Sequence, residues 1–264
     1  MSKKVLMCRP DFFDIEYEIN PWMHKENHVD RELAERQWLQ IHDIYIALGI
    51  AVERIDPVGG LPDMVFTANG GLVIDSKVML PRFLNQERRG ETPEFERWFK
   101  LNGYTEIQMP EHNFEGEGDC LFAGDTLFAG HGFRSDLKAH AELKAFFAKP
   151  VISLKLINPH FYHLDTCFCP LDDDTVMFFP GAFDDDSQKA IRSHFKTVIE
   201  ASPRDAERFG LNAVSYNNNV VLSNEAEDLH QQLKDHGFNP IATPITEFHK
   251  SGGGVKCLTL ELRA

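Results

Sequence analysis

The chain has 264 residues, 42% of them hydrophobic and 26% charged, a balance that supports a large buried core and excludes a disordered or fibrous chain. Lys and Arg number 27 against 41 Asp and Glu, a formal net charge of −14, which excludes nucleic acid and an anionic membrane surface as expected partners. No window nears the ~20 apolar residues of a membrane span, and Met1-Ser2-Lys3-Lys4 runs into strand-like Val5-Leu6-Met7-Cys8 rather than a signal-peptide core, so a cytoplasmic protein is expected. Five scattered cysteines, Cys8, Cys120, Cys167, Cys169 and Cys257, are an odd number in a chain that needs no staples, and reduced thiols are expected.

In chain order, the first long element is a helix from Asp30 to Gly49, whose Ala34, Trp38, Ile41, Tyr45 and Leu48 form one core-facing stripe, followed by a strand from Ile50 to Ile55. Four times thereafter two apolar runs flank a short polar turn and predict a β-hairpin. The runs are 71–74 with 78–80, 120–122 with 127–129, 166–169 with 176–179, and 213–216 with 220–222. The returning strands begin at Val78, Leu127, Val176 and Val220, spacings of 49, 49 and 44 residues that signal a repeat. Helices fill the gaps. One is expected to open at Thr92-Pro93 and stop at Gly103, one to open at Ser135-Asp136, one to follow Ser187 with Ile191, Phe195 and Val198 on its face, and one to follow Ser223. Closing strands are expected at 104–109, 151–156, 212–216 and 238–243. A fifth unit joins the two ends, with Cys257-Leu258-Thr259-Leu260 pairing to Val5-Leu6-Met7. Five ββαβ units closed through the termini predict a single domain over 1–264, an α/β five-bladed propeller around a central channel where ligands bind.

Three segments carry chemistry: Phe114-Glu115-Gly116-Glu117-Gly118-Asp119, His163-Leu164-Asp165, and Ser251-Gly252-Gly253-Gly254-Val255-Lys256-Cys257. All lie at the entrance to a hairpin strand, so a ring would aim them at one centre. A cysteine nucleophile reacts as the thiolate and wants a nearby cation, a histidine can move the proton, and a carboxylate can orient that histidine or bind a cationic substrate. Taken singly, Cys257 reads as a buried inert thiol, His163 as a structural histidine and the acidic turn as a solvated loop; their joint occurrence at matching places in the repeat favours function. Metal binding by His163, Asp165, Cys167 and Cys169, alternating along a strand, ranks low because side chains two apart on a strand stand roughly 6.6 Å apart. The glycine run before Lys256 lacks the phosphate-loop spacing.

On these residues the chain resembles the guanidine-modifying superfamily, the penteins, which includes arginine deiminases, dimethylarginine dimethylaminohydrolases, amidinotransferases and arginine dihydrolases. The resemblance covers nearly the whole chain and implies five ββαβ units, a nucleophilic Cys257, His163 within a His-x-Asp motif, and a substrate-binding carboxylate assigned to Glu115, where an added Glu117 departs from the usual Glu-Gly-Gly-Asp turn. Within the superfamily, Asn20-Pro21-Trp22-Met23 and Asp63-Met64-Val65-Phe66-Thr67-Ala68-Asn69-Gly70-Gly71 are most similar to arginine dihydrolases, which convert arginine to ornithine, carbon dioxide and two ammonia. This implies substrate contacts at Asn20, Asp63, Asn69, Arg88 and Arg134, with the arginines on the α-carboxylate and Arg89 the alternative to Arg88. Glu115 and Asp165 would hold substrate and His163. The fused cyclodeaminase activity of other dihydrolases is not implied.

The implied substrate is L-arginine, attacked at its guanidine carbon by Cys257 with His163 moving protons and no metal or organic cofactor required. Asn69 bears on the outcome, because its amide can accept from a guanidinium N–H and donate to a ureido oxygen, which two carboxylates cannot. The bland reading of Asn69 is an Asn-Gly turn. Alternatives are a deiminase or dimethylarginine hydrolase that releases citrulline, an amidinotransferase, and a non-catalytic binding member such as the ribosome anti-association factor of this fold. A homo-oligomer is compatible with the sequence.

Overall fold

The computed structural model describes residues 3–263; Met1 and Ser2 of the N-terminal reading, and Ala264, lie outside the described residues. Five three-stranded sheets are present among the described residues, and each repeats one plan: a hairpin, a helical crossover, and a third strand parallel to the second. Strands β1 (Lys4–Cys8) and β2 (Ala51–Ile55) flank helix α1 (Arg31–Ala47); β3 (Leu72–Ile74), β4 (Lys77–Met79) and β5 (Glu106–Gln108) surround α2 (Glu91–Leu101); β6 (Cys120–Ala123), β7 (Thr126–His131) and β8 (Val151–Lys155) surround α3 (Ala139–Phe147). The fourth blade has β9 (Phe168–Pro170), β10 (Thr175–Phe178), α4 (Asp185–His194) and β11 (Thr197–Glu200), followed by a short α5 (Pro203–Glu207). The fifth has β12 (Val214–Tyr216), β13 (Asn219–Ser223), α6 (Glu227–Asp235) and β14 (Asn239–Thr243), after which α7 (Thr246–His249) leads to β15 (Leu260–Glu261). Pairing of β15 antiparallel to β1, with Leu6 opposite Leu260, closes the ring through the termini. The expected five-bladed α/β ring is therefore the observed fold.

The stripe on α1 faces the core as its spacing dictates: Ala34, Trp38, Ile41 and Tyr45 are buried. Asp30 caps this helix by accepting from the Leu33 amide at 3.0 Å, a contact of about 1 kcal/mol. Phe95 and Phe99 of α2 fill the space under the β3–β4 hairpin. Gly70 permits that approach, because a β-carbon there would stand 2.4 Å from the Phe95 ring.

Several boundaries differ from expectation. The closing strand of the fourth blade is β11, not 212–216, because Phe195 turns extended at the end of α4 and the β-branched run Thr197-Val198-Ile199 pairs with β10; Val198 is on a strand rather than a helix face. Helix α2 begins at Glu91, ahead of Pro93, and the Thr92 hydroxyl donates to the Pro81 carbonyl instead of capping. Helix α3 begins at Ala139, leaving Ser135 free for the site and Leu137 exposed. Asp184 rather than Ser187 caps α4, and Ser223 ends β13 instead of opening α6. Cys257 precedes the short β15 and lies in a turn. His163 to Cys169 do not alternate along a strand, since Leu164–Thr166 form a 3-10 turn.

Candidate active site

The five turns that enter the hairpins are joined head to tail by hydrogen bonds. The Glu117 amide donates to the Gly71 carbonyl at 2.9 Å, the Leu164 amide to Asp119 Oδ1 at 3.1 Å, and the Asn212 side-chain amide to the Asp165 carbonyl at 3.0 Å. The Cys257 amide then donates to Asn212 Oδ1 at 3.0 Å, and the Ala68 amide returns to the Cys257 carbonyl at 3.1 Å. This closed circuit places side chains from residues more than 200 positions apart around one point.

At that point lies a small cavity of about 10 Å³, lined among others by Asn20, Asp63, Asn69, Arg88, Arg134, His163 and Cys257. Glu115 and Asp165 stand directly behind two of these. His163 Nε2 donates to Glu115 Oε2 at 2.7 Å, which leaves Nδ1 as the nitrogen open to proton transfer. The Cys257 thiol donates to Asp165 Oδ2 at 3.4 Å and accepts from Asn212 Nδ2 at 3.1 Å. The 3-10 turn is what sends His163 and Asp165 to different partners.

Glu115 has further partners: Oε2 also accepts from Arg134 Nη1 at 3.0 Å, and Oε1 from the Leu84 amide at 3.2 Å. The structure thus places Glu115 behind the cavity lining as a partner of His163 and Arg134, the His163 contact being one of the two roles expected of it. Its added neighbour Glu117 faces elsewhere, on Lys256 Nζ at 2.6 Å and on Arg263. Arg88 is buried on the cavity, whereas Arg89 donates to the Phe83 and Leu84 carbonyls away from it. Arg134 also donates to the Ile19 carbonyl at 2.9 Å and lies 4.6 Å over the Tyr162 ring. Asn20 closes the cavity as a turn residue: its side chain accepts from the Trp22 amide at 2.9 Å and donates to the Ser251 carbonyl at 3.0 Å. The glycines before Cys257 let this loop pack closely, since a β-carbon on Gly253 would stand 2.2 Å from Phe66 and one on Gly254 2.8 Å from Asn212 Oδ1.

Charge in the cavity is set by burial and by neighbours. Burial pushes the Cys257 thiol well above its ordinary range, and adjacent Asp165 pushes it further. Burial likewise raises Asp165 to about 7, against the opposing pull of Lys256, and raises Asp63 against the pull of Arg88. Burial would raise Glu115 too, but Arg134 and His163 hold it well below the usual carboxylate range. Among the described residues, Asp63 Oδ1 and Asp165 Oδ1 are buried acceptors with no hydrogen-bond partner, although the Tyr17 hydroxyl, itself unpartnered, stands close enough to Asp63 to help hold its carboxyl down. Asp63 on the cavity wall and Asp165 behind the Cys257 thiol give the site an acidic lining that suits a planar cation rich in N–H donors.

Asn212 is the site residue that sequence reasoning missed. It stands eight residues before the returning strand at Val220, as Asp119 stands eight before Leu127, so the phase of the repeat was the available signal. Asp119 itself accepts from Ser135 Oγ at 2.7 Å and anchors the Leu164 turn. No group of three or more His, Cys, Asp or Glu arranged to hold a metal occurs among the described residues.

A five-bladed ring with a cysteine and a histidine on one carboxylate-edged cavity defines the guanidine-modifying class of protein. A family model described as N,N dimethylarginine dimethylhydrolase, eukaryotic, matches residues 11–264, and the chain belongs to that family. It is 42% identical to the N(G),N(G)-dimethylarginine dimethylaminohydrolase of Mycobacterium tuberculosis, over 99% of this chain and 86% of that protein. It is 43% identical to the bifunctional arginine dihydrolase/ornithine cyclodeaminase ArgZ of Synechocystis, over 98% of this chain but 37% of that protein, so the chain spans a little over a third of that relative's length. A structure of the N-terminal domain of ArgZ, a cysteine-to-serine variant of an arginine dihydrolase from cyanobacteria bound to substrate, superposes with a TM-score of 0.95 at 41% identity, covering 99% of this chain and 98% of that one.

Proposed function

We propose that the chain is an arginine dihydrolase that converts L-arginine and two waters to ornithine, carbon dioxide and two ammonia. The observation that carries this reading is that Cys257, His163 and Asp63 line one cavity, with Asp165 hydrogen-bonded to the thiol behind it. The guanidinium would meet this acidic lining and bring the positive charge that a buried thiol needs in order to ionise. Arg88 and Arg134 would hold the α-carboxylate. Cys257 Sγ attacks the guanidine carbon, one C–N bond breaks, and ammonia leaves with a proton from His163 Nδ1. A water deprotonated by His163 then attacks the thiouronium, the C–S bond breaks, and citrulline forms. Asn69, with both a donor and an acceptor, retains citrulline for a second attack that releases the second ammonia; the second water gives a carbamate that loses carbon dioxide to leave ornithine. Five free thiols among the described residues suit a reducing compartment, and we place the enzyme in the cytoplasm.

Similarity to the ArgZ N-terminal domain over almost its whole length supports this reading. The family match and the mycobacterial relative favour a second one, hydrolysis of dimethylarginine to citrulline. Incubation of the purified chain with L-arginine, and separately with dimethylarginine, distinguishes them when ornithine, citrulline and ammonia are quantified. Ornithine with two ammonia per arginine, abolished in Cys257→Ser, is the expected result. Citrulline with one ammonia, or turnover of dimethylarginine alone, would overturn it.

A further inference from the structure

Glu91 opens helix α2 with its side chain fully buried, a position where a carboxylate persists only if its charge is matched. Both its oxygens are taken by one residue: Arg88 Nε donates to Oε1 and Arg88 Nη2 to Oε2, each at 2.8 Å. A guanidinium has five N–H bonds in a rigid plane. Here Glu91 uses two, the Asp63 carbonyl a third at 3.1 Å, and Asn69 Oδ1 a fourth, accepting from Nη1 at 2.8 Å. One Nη1–H remains. The face of the guanidinium lies 4.7 Å over the Phe83 ring, so the plane has little freedom once Glu91 grips its far edge.

The contact with Asn69 carries the consequence. The Asn69 amide is held at both ends, Oδ1 by Arg88, which only donates, and Nδ2 by the Glu115 carbonyl, which only accepts, at 2.9 Å. Turning the amide over would set donor against donor and acceptor against acceptor. One Nδ2–H and one Oδ1 lone pair are left for a ligand, in fixed places.

We propose that Glu91 is a positioning residue that governs product outcome, by gripping Arg88 so that Arg88 locks the orientation of the Asn69 amide. This rests on the dihydrolase reading, in which that amide retains citrulline. Loosening the grip lets Arg88 swing and the amide turn, and citrulline escapes before the second attack.

The test compares the full chain with Glu91→Gln, which keeps the shape and loses the two-pronged charge, and with Glu91→Asp, which keeps the charge and shortens the reach. Melting curves establish that each variant is folded, and the citrulline-to-ornithine ratio from L-arginine is read at low conversion together with KM and kcat. The ratio is expected to rise about tenfold in Glu91→Gln, the scale of coupling between contacting residues, with a higher KM, and to rise less in Glu91→Asp. A merely structural role would lower total rate and leave the ratio at its wild-type value in both variants, which overturns the proposal. Citrulline as the sole wild-type product would instead remove the dihydrolase reading, and the role of Glu91 in product outcome with it.

Discussion

Two charged clusters, one buried and one half-buried at its edge, alternate along the same short turns and satisfy their charges in opposite ways. Glu115 and Cys257 turn toward the reactive cavity, while their neighbours Glu117 and Lys256 turn into an ion cluster with Lys3, Glu261 and Arg263. In the ion cluster every carboxylate oxygen has a resident cation: Glu117 Oε2 has Lys256 at 2.6 Å, Oε1 has Arg263, and Glu261 has Lys3 at 3.0 Å and Arg263 at 2.9 Å. At the cavity, Asp63 on its wall and Asp165 behind it each keep one oxygen without a hydrogen-bond partner. A filled cluster contributes position; an unfilled one leaves acceptors for which a ligand can bring the missing charge. The ion cluster ties the Cys257 loop to the second blade, and the cavity exploits the geometry so fixed.

Substitutions in the two clusters should therefore fail differently. Glu115→Gln leaves His163 without its anion and is expected to lower kcat about 10²–10⁴-fold, the usual range for losing positioned acid–base catalysis; its melting temperature also falls, so steady-state kinetics are the deciding readout. Glu117→Gln strands Lys256 and Arg263 and should cost about 3–5 kcal/mol. At roughly 2–4 °C per kcal/mol for a chain of this size, calorimetry should show a fall of about 6–20 °C, with kcat of the folded fraction changed only a few-fold. Equal losses of kcat in both variants would erase the division of labour.

A subtler difference concerns pH. Burial disfavours the thiolate at Cys8, Cys120, Cys167, Cys169 and Cys257, so each titrates above its ordinary range. On the proposed function, Cys257 alone among them gains a cation when substrate binds. Thiolate absorbance near the far ultraviolet should stay absent in the free protein through pH 9, then appear at lower pH on addition of a non-reacting guanidinium ligand, and fail to appear in Cys257→Ser. A thiolate already present at pH 7 without ligand would show that the cavity carries its own cation.

The ring and most of the cavity were legible because the repeat phase put Glu115, His163 and Cys257 at equivalent entrances. What stayed hidden depended on local geometry. Whether Glu115 or Glu117 faces the cavity follows from a 3-10 turn, whose three-residue period matches neither strand nor helix patterning. Strand β11 was missed because α4 stops without glycine or proline and Val198 reads equally well as a helix face. Asn212 belongs to no motif, and Glu91 gains its meaning only from a helix that starts two residues earlier than Thr92-Pro93 suggests.

The claim that the cavity awaits a cation is tested most directly by calorimetric titration of L-arginine into Cys257→Ser, with and without Asp165→Asn. A charge-assisted contact from Asp165 predicts affinity about 10–100-fold weaker in the double variant. Equal affinities would contradict the account and leave the unpartnered oxygen of Asp165 without a role in recognition.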